Sequence, residues 1–285
     1  MQISLIQVPY MVGDDRHSAS DGPQHLLQNG AANIFTSNGF TVSVDQVERG
    51  TAYRDSATSS LAVNKNLKKT VHRAVVAEQI PIVLAGSCDV SAGILAGFDH
   101  SRCGVVWLDA HGDFNTPEST ISGFFAGMSL AVITGHCYRS YWAQIGDNTP
   151  VLESATVIFG VRDLDPAEQQ RFQQSQIRMV KWRDGNPQGN VQTILDDLSK
   201  RVHEFYLHID LDALDPEIAP GIVDDPVPGG LSLHQMEDLI RAMCCRLRLR
   251  AAALTTYNPG RDHDGKTLRV SLRVLEVLAE FTRAS

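Results

Sequence analysis

The chain has little that would serve a membrane, a nucleic acid or a disulfide-stapled scaffold. No apolar run approaches membrane-spanning length, about 20 residues. Positive charge is scarce: 25 Lys and Arg stand against 33 Asp and Glu, a formal net charge of −8. That balance argues against binding to nucleic acid or an anionic membrane surface and suits a soluble enzyme that attracts cationic substrates. Cysteine is sparse and unpatterned. The five are Cys88, Cys103, Cys137, Cys244 and Cys245, an odd number with no CxxC spacing, so zinc and disulfide readings are both poor and a reducing cytoplasm is the expected compartment. The stretch Met1 to Tyr10 has no basic region and no small-residue cleavage site, so no signal peptide is expected. Repeats, low-complexity tracts and linkers are absent as well, which predicts a single domain over residues 1–285.

What is present is a 43% hydrophobic chain in which strand and helix patterns alternate. Strands are expected at Ile3 to Val8, Phe40 to Val47, Pro81 to Ala85, Cys103 to Leu108, Ala155 to Phe159, Ile177 to Lys181, Phe205 to Ile209 and Ala251 to Thr256, the first and third of them buried. Helices are expected from Asp21-Gly22-Pro23 through Phe35 to a stop at Gly39, and over Leu61 to Glu78, Val90 to Phe98, Phe125 to Thr134, Pro166 onward, Val191 to Val202, Leu233 to Leu247 and Thr267 to Phe281. Such alternation predicts an α/β fold of three α/β/α layers on a mostly parallel sheet of eight strands. Ligands of such sheets bind beyond the carboxyl ends of the strands.

Two acidic boxes fall at those ends. In the first, the apolar run Val105 to Leu108 stops at Asp109, and His111 and Asp113 follow at alternate positions. Three oxygen and imidazole donors converging there suit a hard divalent cation; a polar turn capping the next helix would explain one Asp but not three. In the second, Phe205 to Ile209 runs into Asp210, Asp212 and Asp215-Pro216. An EF-hand loop needs Asp or Asn at its fifth position and Gly at its sixth, where this chain has Leu214 and Asp215. Two strands that each deliver a carboxylate pair to one sheet edge can bracket a two-metal cluster, with ions about 3.5–4 Å apart and an activated water between them.

These boxes resemble the signatures of the ureohydrolase superfamily, the arginase and agmatinase group. Asp109-Ala-His111-Gly-Asp113 matches the first, Asp210-Leu-Asp212-Ala-Leu-Asp215-Pro216 the second, and Gly160-Val-Arg-Asp-Leu-Asp-Pro-Ala-Glu168 the arginase version of a third loop; Gly229-Gly-Leu-Ser232 follows in order. The resemblance spans essentially the whole chain and implies an arginase-like fold, two Mn²⁺ ions per chain and a homo-oligomer, trimer or hexamer. It also implies that Asp109 and Asp210 bridge the ions, that His111 and Asp212 complete one site and that Asp113 belongs to the other. Asn115 and Ser122 would then hold the carboxylate end of a substrate, and Asp165 and Glu168 would face its α-amino group; a cap on the helix beginning at Pro166 is the other reading of Asp165.

Several positions depart from that pattern. Cys88, in Leu84-Ala-Gly-Ser-Cys-Asp-Val90, stands where the family has the His of a Gly-Gly-Asp-His-Ser turn, and a similar Cys occurs in the branch resembling hydroxyarginine amidinohydrolases. A thiolate suits manganese less well than imidazole, so Cys88 reads either as a ligand of a weak or empty site or as a small buried thiol. Phe124 replaces an Asn, Ala126 replaces a His linked to proton transfer, and Thr256, in Thr-Tyr-Asn-Pro259, stands where the family places a Glu against the guanidinium. Thr256 cannot form that charge-assisted pair. His263, in the loop after the last strand, is a substitute proton donor or a solvated loop histidine. The expected function is therefore a manganese-dependent amidinohydrolase of linear C–N bonds, with His111, Asp113 and His263 as catalytic candidates, acting on a guanidine or amidine compound that includes N-modified, arginine-like molecules. The alternatives are an ordinary arginase or agmatinase, or a non-catalytic metal-binding member.

Overall fold

The computed structural model describes residues 1–14, 16–50, 55–146, 149–222 and 226–282. In chain order its strands are β1 Gln2–Val8, β2 Thr41–Gln46, β3 Gln79–Ala85, β4 Cys103–Leu108, β5 Thr156–Val161, β6 Arg178–Arg183, β7 Asn186–Pro187, β8 Glu204–Asp210 and β9 Arg248–Thr255. Its helices are α1 Gly22–Gln28, α2 Ala31–Ser37, α3 Ser56–Val76, α4 Ser91–Leu95, α5 Ser129–Ile133, α6 Arg139–Ile145, α7 Pro166–Gln174, α8 Val191–Ser199, α9 Leu233–Cys244 and α10 Lys266–Thr282.

The sheet runs β2-β1-β3-β9-β8-β4-β5-β6-β7. All neighbours pair in parallel except the two-residue β7, which folds back antiparallel on β6. The eight expected strands are thus the eight parallel ones. Side chains alternate across them into two cores. One packs Leu26, Phe35, Leu195, Met236 and Leu275 under α1, α2, α8, α9 and α10. The other packs Leu67, Ile94, Leu130, Trp142 and Phe172 under α3 to α7. This is the arginase-like three-layer α/β/α architecture. None of the described helices is long and apolar enough to cross a membrane.

The differences from expectation are local. The helix expected from Gly22 to Gly39 is broken at Gly30, whose φ of +101° is open to glycine at little cost, and becomes α1 and α2. Helix α6 has no counterpart in the sequence reading; its seven residues bury Tyr141, Trp142 and Ile145 but are too short for the 3.6-residue period to stand out. α4 and α5 shrink to five residues each, both preceded by a 3-10 turn that carries site residues.

Chain order and sheet order part company where function is expected. β3 and β4 follow each other in sequence, yet β9 and β8 lie between them. The neighbours β8 and β4 diverge: the chain leaves β8 for β9 on one side and β4 for β5 on the other, which opens a crevice at the carboxyl ends of these central strands.

Candidate metal centre

Four adjacent strands, β3-β9-β8-β4, deliver the site. Cys88 lies in the 3-10 turn Cys88–Val90 after β3, Asp210 ends β8, Thr255 ends β9, and Asp109 follows β4. Cys88, Asp109 and Asp210 line a cavity of about 740 Å³ that also receives Met11, His111, Asp113, Asn115, Ser122, Phe124, Ala126, Asp165, Glu168 and Thr256.

Two groups of potential ligand atoms form there, each within 4.8 Å of one another: Cys88, Asp109 and Asp210, and Asp109, His111 and Asp212. Asp109 is common to both. Cys88 Sγ donates to Asp210 Oδ2 at 2.9 Å, and His111 Nδ1 lies 2.9 Å from Asp212 Oδ2 and 3.3 Å from Asp109 Oδ1. The backbone aims the remaining carboxylate oxygens: the His111 amide donates to Asp109 Oδ1 at 2.7 Å, Ala110 N to Asp212 Oδ1 at 2.9 Å and Asp212 N to Asp210 Oδ1 at 2.8 Å.

Asp113 lines the same cavity without belonging to either ligand group, and it arrives by a different route from the strand alternation expected of it. β4 ends at Leu108, and the chain beyond is irregular, with Asp113 at φ +49°, a left-handed conformation costly for any residue with a Cβ. The Asp113 carbonyl accepts from Leu130 N at 2.8 Å and Ala131 N at 3.2 Å, so the first turn of α5 holds the kink. Its Oδ2 is buried without a hydrogen-bond partner among the described residues, as a carboxylate reserved for a cation would be.

Electrostatics separate the acids. Burial, then the neighbouring Asp212 carboxylate, pushes Asp109 up to about 7. Burial and the Asp109 charge raise Asp113 well above the usual range; burial with Asp212 and Asp109 does the same to Asp210. Burial followed by Asp210, Asp113 and Asp109 raises the Cys88 thiol. Asp212 alone is held low, at about 2, because the adjacent His111 outweighs its burial. Burial would lower His111, but Asp212 and Asp109 raise it overall. So many buried carboxylates with one imidazole are stable together only with a compensating cation. One thiol, one imidazole and four carboxylates therefore fit a pair of hard divalent ions, with sulfur the odd donor.

The substrate-side residues gather on one wall. Asn115 Nδ2 donates to Asp165 Oδ2 at 3.0 Å. Glu168 accepts from Phe114 N at 2.8 Å and from Asp165 N at 3.3 Å; burial pushes it up to about 7. Asp165 and Glu168 also form the capping box of α7, so the cap reading of Asp165 holds, and both residues line the cavity. Gly112 permits this packing, since a Cβ there would lie 2.5 Å from Glu168 Oε1. Ser122 is exposed at the rim, accepting from Phe124 N at 3.2 Å. Thr256 lines the cavity, but its hydroxyl turns to Asp210 Oδ1 at 2.6 Å. His263 is exposed and is not among the cavity-lining residues; the structure does not bring it to the cluster. Its neighbour Asp262 explains why: the Asp262 carboxylate accepts from Thr267 N and Leu268 N and pins the loop to the start of α10.

Four supporting residues escaped the sequence reading. Trp107 Nε1 donates to Asp109 Oδ2 at 3.0 Å, and its position two before Asp109, on the same strand face, was an available signal. Arg162 donates to the carbonyls of Gly160, Asp212, Ala213, Leu214 and Val227. It thereby ties β5 to the loop after β8 and keeps its guanidinium committed to the backbone. His208, two before Asp210 on one face of β8, offered the same signal as Trp107; Thr255, behind Cys88, had none.

Comparison with known proteins gives one answer throughout. The profile of the Arginase family matches residues 1–279. The arginase of Bacillus subtilis (strain 168) is 29% identical over 289 residues, covering 97% of either chain. The solved structure of arginase from Bacillus caldovelox superposes with a TM-score of 0.90 at 28% identity over 98% of both chains. The proclavaminate amidino hydrolase of Streptomyces clavuligerus shares the fold, with a TM-score of 0.73 at 20% identity over 100% of this chain and 93% of that one.

Proposed function

The chain belongs to the arginase family of metal-dependent C–N hydrolases, and on that premise we propose that it is a manganese amidinohydrolase whose preferred substrate is an N-modified, weakly basic guanidine with an amino-acid tail. The observation that carries the reading is the pair of ligand groups joined at Asp109, open to a cavity whose guanidinium end lacks a free carboxylate of its own. Thr256 is neutral and its hydroxyl is spent on Asp210, so a full guanidinium cation finds no dedicated partner there, whereas a hydroxyguanidine, being less basic, needs none. The tail end is better equipped: Asn115 and Ser122 offer neutral polar groups to a carboxylate, and Asp165 and Glu168 face an α-ammonium.

Cys88, Asp109, Asp113 and Asp210 would hold one ion and Asp109, His111, Asp210 and Asp212 the other. Two bound Mn²⁺ ions would supply a hydroxide near neutral pH to attack the planar carbon. Trp107 and the His111 amide fix the Asp109 carboxylate, so the shared ligand cannot swing away from either group. His111 lines the cavity and, held to an ion through the Nδ1 that faces Asp212 and Asp109, would keep its ring proton at Nε2; with Ala126 in place of a histidine and His263 outside the cavity, no other described imidazole lines it. The homo-oligomer expected of the family, trimer or hexamer, belongs to the same proposal and is read by light scattering.

The decisive experiment offers manganese-loaded protein a panel of arginine, agmatine, hydroxyguanidino and formimino compounds. Urea-type products, formed fastest from a hydroxyguanidino amino acid, support the proposal. Arginine or agmatine turned over most efficiently would make the protein an ordinary member, and turnover of nothing would leave a metal-binding one.

A further inference from the structure

Behind the Cys88 side of the centre lies a buried polar chain that none of the roles above employs. Tyr206, His208 and Asp210 alternate along one face of β8. Tyr206 and His208 are fully buried, and the Tyr206 hydroxyl lies 2.9 Å from His208 Nδ1. His208 Nε2 lies 3.5 Å from Thr255 Oγ1, and Thr255 Oγ1 lies 3.5 Å from Cys88 Sγ. Donor accounting orders the chain. The Thr255 hydroxyl has one hydrogen for two acceptors, Ile209 O at 3.2 Å and the Cys88 sulfur, and a thiolate at Cys88 draws it; His208 therefore presents Nε2–H to Thr255 and accepts from Tyr206 at Nδ1. The His208 ring cannot tilt away, because it is the register partner of Trp107 and stacks on it at 3.6 Å between centroids and 13° between planes. One layer therefore runs under both ligand groups, with Trp107 touching Asp109 and Thr255 touching Cys88.

Thr256 completes it. A regular strand would send the Thr256 side chain to the face opposite Thr255. At φ +70° the backbone instead turns the second hydroxyl back to Asp210 Oδ1, 2.6 Å away. That conformation is strained for a β-branched residue and leaves two consecutive hydroxyls on the two partners of the Cys88–Asp210 contact.

We propose that Thr255 and Thr256 are positioning residues that fix Cys88 and Asp210 as a ligand couple, with His208 and Tyr206 as the buried backing that holds Thr255. This rests on the reading of Cys88 as a metal ligand. A sulfur ligand has weak directional preference and a single χ1 to fix it; the hydroxyl behind it sets that angle, much as partners of ligating imidazoles do in other centres.

The test titrates metal-stripped full-length protein with Mn²⁺ by calorimetry and with Co²⁺ by the thiolate-to-metal charge-transfer absorption, which only a sulfur-bound ion gives. Wild type, Thr255→Val, Thr255→Ser, the pair Tyr206→Phe with His208→Phe, and Cys88→Ala are compared. Thr255→Val should weaken one of the two Mn²⁺ ions by about 10- to 100-fold, shift or weaken the Co²⁺ band, and leave the other ion unchanged. Thr255→Ser, which keeps the hydroxyl, should restore both readings. The aromatic pair keeps the stack on Trp107 and should reproduce the Thr255→Val shift; should it fail to fold by circular dichroism, the two Thr255 variants decide alone. Wild-type affinities and an unshifted band in Thr255→Val overturn the inference, as does a loss that Thr255→Ser fails to repair. Cys88→Ala separates the two levels. If it loses one ion while Thr255→Val loses none, only the positioning role falls; if it keeps both ions, the ligand reading of Cys88 falls too.

Discussion

The two halves of the centre solve the same electrostatic problem differently. On the His111 side the carboxylate of Asp212 has a cationic partner within the protein, 2.9 Å away, and is held at about 2. On the Cys88 side every member is buried and none of Cys88, Asp113 and Asp210 forms an ion pair among the described residues: burial and like charges raise Cys88, Asp210 and Asp113 together, and the His111 charge offsets this only in part at Asp113. The first half is therefore partly neutralised before any ion arrives, and the second depends on the ion for its charge balance while offering it a soft donor. The apolar replacements cluster with the second half. The turn Ala126–Met128 packs against the turn Cys88–Val90, and Phe124 packs on Met11 and Ala19. The replacements at Cys88, Phe124 and Ala126 thus fall in one region, while the His111 side and the Asp165–Glu168 wall keep the family pattern.

The largest effect should come from breaking both halves at once. Asp109 belongs to both ligand groups, and an amide oxygen cannot offset a dication's charge, so Asp109→Asn should lose both ions and reduce turnover to background while the fold persists; Asp210→Asn should do nearly the same. Metal analysis and circular dichroism check this, and full metal content with turnover in either variant would refute the two-ion reading. Next in size is the substrate contrast. Because Phe124, Ala126 and Thr256 replace polar contacts of the family pattern, kcat/KM for plain arginine should fall about two orders of magnitude below that for the best hydroxyguanidine; steady-state assays of urea-type products measure the ratio.

Metal-free melting sharpens the comparison between the halves. At neutral pH His111→Ala strips Asp212 of its cation and should cost about 3 kcal/mol. Cys88→Ala removes only a thiol-to-carboxylate contact and should cost about 1 kcal/mol. Equal losses in the two variants would show that the halves do not differ in this way. With Mn²⁺ added, Cys88→Ala should lose one ion selectively, and Cys88→His, which installs a harder donor, should bind that ion more tightly than wild type does. The smallest effect is expected at His263, exposed on the α10 loop. His263→Ala should change stability by less than about 0.5 kcal/mol and leave the pH profile of kcat intact; a lost limb in that profile would bring the loop into the reaction.

Much of this was legible in the chain itself. The apolar runs that stop at Asp109 and Asp210 located both acidic boxes at strand ends, because a buried parallel strand must be apolar and can afford carboxylates only where it leaves the sheet. The same logic placed Cys88 after β3 and identified the eight parallel strands, while the family resemblance put Asp165 and Glu168 beside the cavity and the cap reading of Asp165 located the start of α7. Less visible were features without a period or a local signature: the break at Gly30, the short α6, and the left-handed turns at Asp113 and Thr256.

By itself, then, the sequence determined which residue types reach the sheet edge, since hydrophobic patterning acts through neighbours a few positions apart. Which of them meet was decided only by the tertiary structure. The order β3-β9-β8-β4 sets Cys88 beside Asp210, 122 positions away, and Thr255 between Cys88 and His208. It also leaves His263 outside, because the Asp262 carboxylate spends its bonds on the start of α10. These pairings depend on strand adjacency and on where each hydrogen-bond donor finds its acceptor, and both are properties of the folded sheet that no local stretch of residues encodes.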